Sequence, residues 1–503
     1  MLRGGRAVPW ERLRPVGPRP ARELSALLSH AGRIDTLLRI HAEHASHFDQ
    51  AHVGMLWRRL GSIASADVGQ REWARRHGEY ALDGARKTTL ELAPALQAPT
   101  VGATAEGIWR AGLGFSPAWD DVWRMLEATA LARVDDLSGD ALARIAVPFA
   151  RVPERGIQAR RRLLDTIATL LVQGGRFSDV SSRDVVRLAR TYASAGHSAP
   201  SLAGLMVVRA ARSTTEFGGA QLTKLIQALA RLGAAEEAER AGLFRRAAQE
   251  VDTLDASSLA GLAWSLAHAR VGEPKLYRRI AAAAVNGLRS FHTADLAALT
   301  HAFAVAPLDH NDSDVMGEQP PYVQQLFELL ARATALQAET LRPHDLVSLT
   351  RAFATAERAG RIQSAAEPLG VLSAAARTCL DAFSGSDLAL LAHALSSVGQ
   401  LDDALLKVLA AKLVPRLDEL ATKELVALTV ALRGARWSLV HNSHLLGMLG
   451  SQLYERQAEL TDEERSAVAR SFGAMGQPSP VDSDIWGPIP HGSSSVATIP
   501  IEG

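Results

Sequence analysis

Cysteine is almost absent: Cys379 stands alone in 503 residues. That excludes a disulfide framework and a cysteine-based metal site, and it suits a reducing compartment. Lysine is scarce too, confined to Lys87, Lys224, Lys275, Lys407, Lys412 and Lys423, so nearly all cations are arginine. No apolar run approaches the ~20 residues that a membrane span requires. The glycines of residues 102–114 lack the Gly-Lys-Ser/Thr ending of a phosphate loop. No G-x-S-x-G elbow sits between a strand and a helix, and no motif fixes a pair of carboxylates. These absences argue against an enzyme and against a bound cofactor. A net charge of +1 rules out a polycation, so any affinity for nucleic acid must come from a local stripe of charge. Runs of alternating apolar residues are missing as well, which predicts almost no sheet.

What the chain does have is a recurring helix. In the stretches from Thr293, Pro343 and Ser386 an apolar residue stands at positions 0, 3 and 7 and a small one at 6. On a helix, 0, 3 and 7 share a face. Position 0 falls at Val185, Leu222, Leu259 and Leu296, each 37 residues after the last, then at Leu346, Leu388 and Leu425. The long step to Leu346 carries a polar insertion at 308–321. A fixed period in this range predicts an α-solenoid of helix–turn–helix repeats with a period near 37 residues. Hydrophobic content of 47% is enough for its continuous core.

Earlier copies are degenerate. Val53, Leu56 and Leu60 fit the frame, Ala105 and Ile108 fit it weakly, and Leu142, Ile145 and Phe149 fit it clearly. The array is therefore expected over 22–476, with about 11 units. Second helices are expected between the marker helices, among them 201–212, 236–250, 274–288, 322–334, 402–417 and 443–457. Pro200 and Pro274 sit at helix starts, Gly196, Gly233 and Gly399 at helix ends. Asp255, Ser257, Asp295 and Asp345 read as N-caps, and Thr461 with Glu464 as a capping box. Residues 1–21 are rich in arginine and poor in acids, as a targeting arm is. Residues 477–503 read as a tail with no core of its own.

The stretches DLAALTHAFA, DLVSLTRAFATA and DLALLAHALSSVG at this period resemble the heptatricopeptide and octotricopeptide class of helical repeats. Residues 37–64 resemble the N-terminal repeats of FAST-kinase-like and RAP-type organellar RNA proteins. The resemblance implies a mitochondrial or plastid protein that binds RNA for processing or stability, or that sits beside rRNA in a mitochondrial ribosome among other ribosomal proteins. Many such proteins end in a compact RAP domain; the tail here is too short and irregular for one, which leaves binding or scaffolding.

Position 5 lies about 140° from position 0 at ~100° per residue. Reading it through the repeats gives Arg58, Arg110, Val147, Arg190, Gln227, Trp264, His301, Arg351, His393, Val430 and Arg470. Position 2 adds Arg144, Arg187 and Lys224. Cations alternating with rings and amides suit single-stranded RNA, where guanidinium forks hold phosphates and rings stack on bases. Alternatively the column is just the solvated side of each helix, in a protein–protein scaffold of HEAT or armadillo type or a structural subunit of another organellar complex. His41, His44 and His47 share helical spacing, but no cysteine or acid cluster supports a metal there; they read as surface histidines. Trp109, Trp119 and Trp123 read as core of a degenerate unit.

Overall fold

The computed structural model describes residues 21–151, 157–213, 215–308, 321–434 and 443–481. Residues 1–20 of the expected arm, 309–320 of the insertion and 482–503 of the tail lie outside them. Among the described residues there are 25 α-helices, joined by short 3-10 turns, and no strand. The expected all-α, helical-repeat class is the observed one. The chain divides into two compact units between Leu243 and Phe244.

Unit 1 contains α1 (Ala21–His30), α2 (Ile34–His44), α3 (Gln50–Ala66), α4 (Val68–Ala81), α5 (Asp83–Leu92), α6 (Ala98–Arg110) and α7 (Asp120–Arg133). It continues with α8 (Gly139–Ala150), α9 (Ile157–Val172), α10 (Ser182–Ser194), α11 (Pro200–Arg212), α12 (Gly219–Arg231) and α13 (Ala235–Arg240). The marker helices α3, α6, α8, α10 and α12 pack each on the next, and so do α5, α7, α9, α11 and α13. The unit is two layers of helices.

In unit 2, α14 (Leu243–Gln249) leads into α15 (Ala256–His268), α16 (Pro274–Gly287), α17 (Thr293–Val305), α18 (Pro321–Gln337) and α19 (Pro343–Arg358). Then come α20 (Ala366–Thr378), α21 (Gly385–Ser397), α22 (Asp403–Leu413), α23 (Thr422–Gly434), α24 (Ser443–Glu455) and α25 (Asp462–Ala474). Here α15, α17, α19, α21, α23 and α25 pack in succession. Behind them α16, α18 and α20 do the same, while α22 and α24 meet through the 3-10 turn Val414–Glu419.

The frame explains the layering. In α10, Val185, Val186, Leu188, Ala189, Thr191 and Tyr192 are all buried, which are positions 0, 1, 3, 4, 6 and 7. The corresponding residues of α12, α17 and α21 are buried too. Marker helices inside a unit, such as α10, α17 and α21, are thus covered by a neighbour on each side and by the second layer behind. Only a narrow strip through positions 2 and 5 reaches water. Each fully buried Leu or Phe contributes about 1.5–3 kcal/mol relative to exposure. Threonines at position 4 survive there because Thr300, Thr350 and Thr429 bond the carbonyls of Leu296, Leu346 and Leu425 at 2.7–2.8 Å.

A second device repeats across units. A donor at the end of a second-layer helix reaches the main-chain carbonyl just ahead of a marker helix. Arg133 donates to Pro94 O at 3.3 Å, Arg176 to Leu137 O at 3.1 Å and Arg209 to Phe177 O at 3.1 Å. In unit 2, Gln337 donates to Phe291 O at 3.4 Å, Arg416 to Phe383 O at 2.6 Å and Arg456 to Leu420 O. These arginines are occupied holding repeats together.

Several local expectations are met. Pro200 and Pro274 open α11 and α16. Gly196, Gly233 and Gly399 adopt φ of +59°, +80° and +69°. Asp255 caps α15, and Thr461 with Glu464 forms the capping box of α25. Others are corrected. The single helix expected over 236–250 is two, α13 and α14, with Gly242 between them at φ +75°. Ser257 lies inside α15 rather than capping it. Asp295 and Asp345 lie in the first turn of α17 and α19, not at the caps. Asp345 is buried and ties helices instead, accepting from Thr293 Oγ1 at 2.9 Å and Arg342 Nε at 2.9 Å.

Candidate nucleic-acid interface

On α10, Arg190 is exposed and Arg187 half-buried, both on the solvent strip. The next helix, α8, ends at Arg151, whose guanidinium lies 4.4 Å from the centroid of the Trp109 ring on α6. Burial lowers the Arg151 pKa, and the nearby charges of Arg190, Arg187 and Arg110 lower it further, with Glu106 opposing. Four arginines from three adjacent helices therefore share one locale beside an indole. Neither Arg151 nor Arg190 makes an ion pair or a side-chain hydrogen bond among the described residues.

The other arginines of this locale are partly held. Arg110 pairs with Glu106 at 2.6 Å. Arg144 lies 3.6 Å from Asp184 and 3.9 Å from Asp140, and Arg187 lies 3.5 Å from Asp184. Arg110, Arg144 and Arg187, expected as open phosphate forks, thus each have a carboxylate partner. The Arg110–Glu106 pair is exposed and of a kind worth about 0.2–1 kcal/mol, whereas Asp184 is buried and its two contacts, at 3.5 and 3.6 Å, are long.

The register expected for α6 is also corrected. Val101, Gly102, Thr104, Ala105, Gly107 and Ile108 are the buried residues, so Val101, not Ala105, is position 0. Glu106 then takes position 5 and Arg110 takes position 9, the place that Arg151 has on α8. Glycine permits this shift. A Cβ on Gly107 would meet the Trp57 carbonyl oxygen at 2.1 Å, so α3 and α6 touch backbone to backbone.

Unit 2 assembles a different group. His301 on α17, Arg351 on α19 and His393 on α21 occupy position 5 of three successive helices. Burial lowers the pKa of His301, and the Arg351 charge adds to it. Burial does the same at His393, with Arg358 and Arg351 adding. Both imidazoles are therefore neutral at pH 7, flanking a permanently charged and exposed Arg351. One helix earlier, Trp264 stacks on His268 with ring centroids 4.8 Å apart and planes 10° apart.

Arg58 and Arg470 stand exposed on α3 and α25, and Lys224 and Gln227 are half-buried on α12. No side-chain ion pair or hydrogen bond among the described residues joins these four to either group. Arg151, His268 and Arg358 were not singled out from the sequence. Arg151 and His268 sit at position 9, one turn beyond position 5, and a column read with two rows would have included them.

The histidine and tryptophan readings divide. His41 and His44 are buried rather than at the surface, and His47 lies on the 3-10 turn that follows α2. His41 meets Thr88 Oγ1 at 3.0 Å and the Phe48 ring edge-on. No group of three His, Cys, Asp or Glu among the described residues is placed to hold a metal. Trp119 and Trp123 are core residues as expected, while Trp109 is half-buried under Arg151. Among the described residues no helix is long and apolar enough to cross a membrane. No known protein family's profile matches the chain, and no curated protein matches it in sequence.

Proposed function

We propose that the chain is an organellar RNA-binding helical-repeat protein of the heptatricopeptide and octotricopeptide kind. In this reading it is a non-enzymatic component of a mitochondrial ribosome, or an RNA-processing or stability factor, that holds single-stranded or fragmented rRNA. The observation that carries the reading is the content of the solvent strip. Along the strip, guanidinium, imidazole, amide and indole groups outnumber the carboxylates and aliphatics that stand among them, such as Glu106 and Val305, and they gather into Arg110/Arg151/Arg187/Arg190 in unit 1 and His301/Arg351/His393 in unit 2. Phosphates take the forks and bases take the rings, and stacking alone is worth about 1–3 kcal/mol per base. The arginine-rich, acid-poor segment 1–21 supports an organellar destination.

The test is filter binding of the purified protein to single-stranded and duplex RNA. Arg190→Ala with Arg351→Ala and Trp264→Ala should weaken single-strand binding by about a hundredfold, from one base stack and two charged contacts, with the helical circular dichroism unchanged. Undiminished affinity in that triple variant would overturn the reading. Import of a fusion carrying residues 1–40 into mitochondria tests the destination.

A further inference from the structure

The arginine locale of unit 1 holds more charge than a passing backbone phosphate can use. Five guanidiniums, those of Arg110, Arg144, Arg151, Arg187 and Arg190, stand with three described carboxylates, Glu106, Asp140 and Asp184, which pair only with Arg110, Arg144 and Arg187. Among the described residues the excess is two positive charges. An internal phosphodiester carries one negative charge. A phosphate monoester carries about 1.5 to 2 at pH 7 and offers three acceptor oxygens.

Arg151 is the residue that internal packing explains least. The ring of Trp109 accounts for one face of its guanidinium through cation–π attraction. The C-terminus of α8, where Arg151 is the cap, favours a cation but does not neutralise it. Its neighbours Arg187 and Arg190 repel it, and none of the described carboxylates pairs with it. Held against the indole, the guanidinium keeps its N–H edge free for a bidentate acceptor.

We propose that this locale is a subsite for a terminal phosphate monoester, the dianionic end of an RNA fragment, with Arg151 and Arg190 as its two open forks and Trp109 as the ring that positions Arg151. The proposal deepens the RNA reading and rests on it. It gives the protein a preference for fragment ends over continuous chain. The end's phosphate displaces the weak carboxylate contacts of Arg187 and Arg144, so occupancy recruits those guanidiniums as well.

The experiment uses the full chain and twelve-residue oligoribonucleotides of one sequence, read by fluorescence polarisation. One pair carries a 3′ label and either a 5′-phosphate or a 5′-hydroxyl. The other pair carries a 5′ label and either a 3′-phosphate or a 3′-hydroxyl. One phosphorylated end should bind at least about tenfold more tightly than its hydroxyl counterpart, as two charge-assisted forks allow. The two arms tell which end is taken. Arg151→Gln and Arg190→Gln should each erase most of that difference while changing hydroxyl-ended binding less. Arg151→Lys should restore only part of it, because an ammonium lacks the fork. Trp109→Phe serves as the folded control that keeps a ring. Equal affinity for phosphate and hydroxyl ends overturns the subsite while leaving RNA binding intact. Absence of binding to every oligonucleotide overturns both.

Discussion

The two units solve the same packing problem with different fillings. Unit 1 brings α3 and α6 together through glycines, and its solvent strip is crowded with arginines, three of them paired to carboxylates. Both units set edge-on aromatic pairs between their layers, Trp123 on Phe149 in unit 1, Tyr277 on Phe303 and Phe327 on Phe353 in unit 2, but the strip of unit 2 sets one bare arginine between two neutral histidines. One apolar frame thus supports two kinds of surface. The charge of the first is permanent and already partly spent. The charge of the second is small at neutral pH and conditional on proton uptake.

The core contrast gives the largest expected effects. Phe353→Ala removes a fully buried ring and should cost about 3–5 kcal/mol, read as lost amide protection in α17, α19 and α21. Gly107→Ala forces a Cβ into the Trp57 carbonyl and should cost about 1–3 kcal/mol, read in α3 and α6. If the alanine at 107 proved harmless, the backbone contact would not be what sets the register of α6.

The strips sharpen the comparison next. Between pH 7.5 and 5.5, RNA affinity due to unit 2 should rise as His301 and His393 gain protons, and His301→Gln with His393→Gln should abolish the rise. The folding free energy moves the other way. The folded pKa of each lies below the unfolded value, so its contribution is complete above about pH 6.5. That contribution is lost as pH falls from there through the folded pKa. Thermal melts across this range should therefore show stability declining, less steeply in the double variant. His41, whose pKa burial also lowers, adds a similar decline within unit 1. The smallest effect belongs to Asp184→Asn. It releases Arg144 and Arg187 from a buried carboxylate and should tighten RNA binding severalfold in filter assays. Weaker binding in that variant would mean Asp184 orients the arginines rather than competing for them.

Much of the fold was legible because the repeat signal and the helix signal coincide. Starts of α10, α12, α15 and α17 at Ser182, Gly219, Ala256 and Thr293 are 37 residues apart, and proline and glycine punctuate them as their backbone preferences dictate. The failures share a cause. Frame and caps are local signals, whereas Gly107, Asp345 and His41 are placed by contacts with distant helices. Gly107 reads as a weak helix residue until Trp57 is seen against it. Asp345 reads as a cap until Thr293, a full repeat earlier, is seen donating to it. The site was half legible. Position 5 is the solvent strip, so Arg190, His301, Arg351 and His393 were found. Arg151 escaped because its part in the locale depends on how α8 lies against α6 and α10.

The arginine-to-carbonyl contacts that span repeats carry a last consequence. Each acceptor is a main-chain oxygen, which every amino acid possesses, so the receiving turn can bear Pro94, Leu137, Phe177, Phe383 or Leu420 alike. The joint makes a demand on one partner only. Neighbouring modules can therefore drift apart in sequence, and exchange what they show to solvent, without loosening the fastening between them.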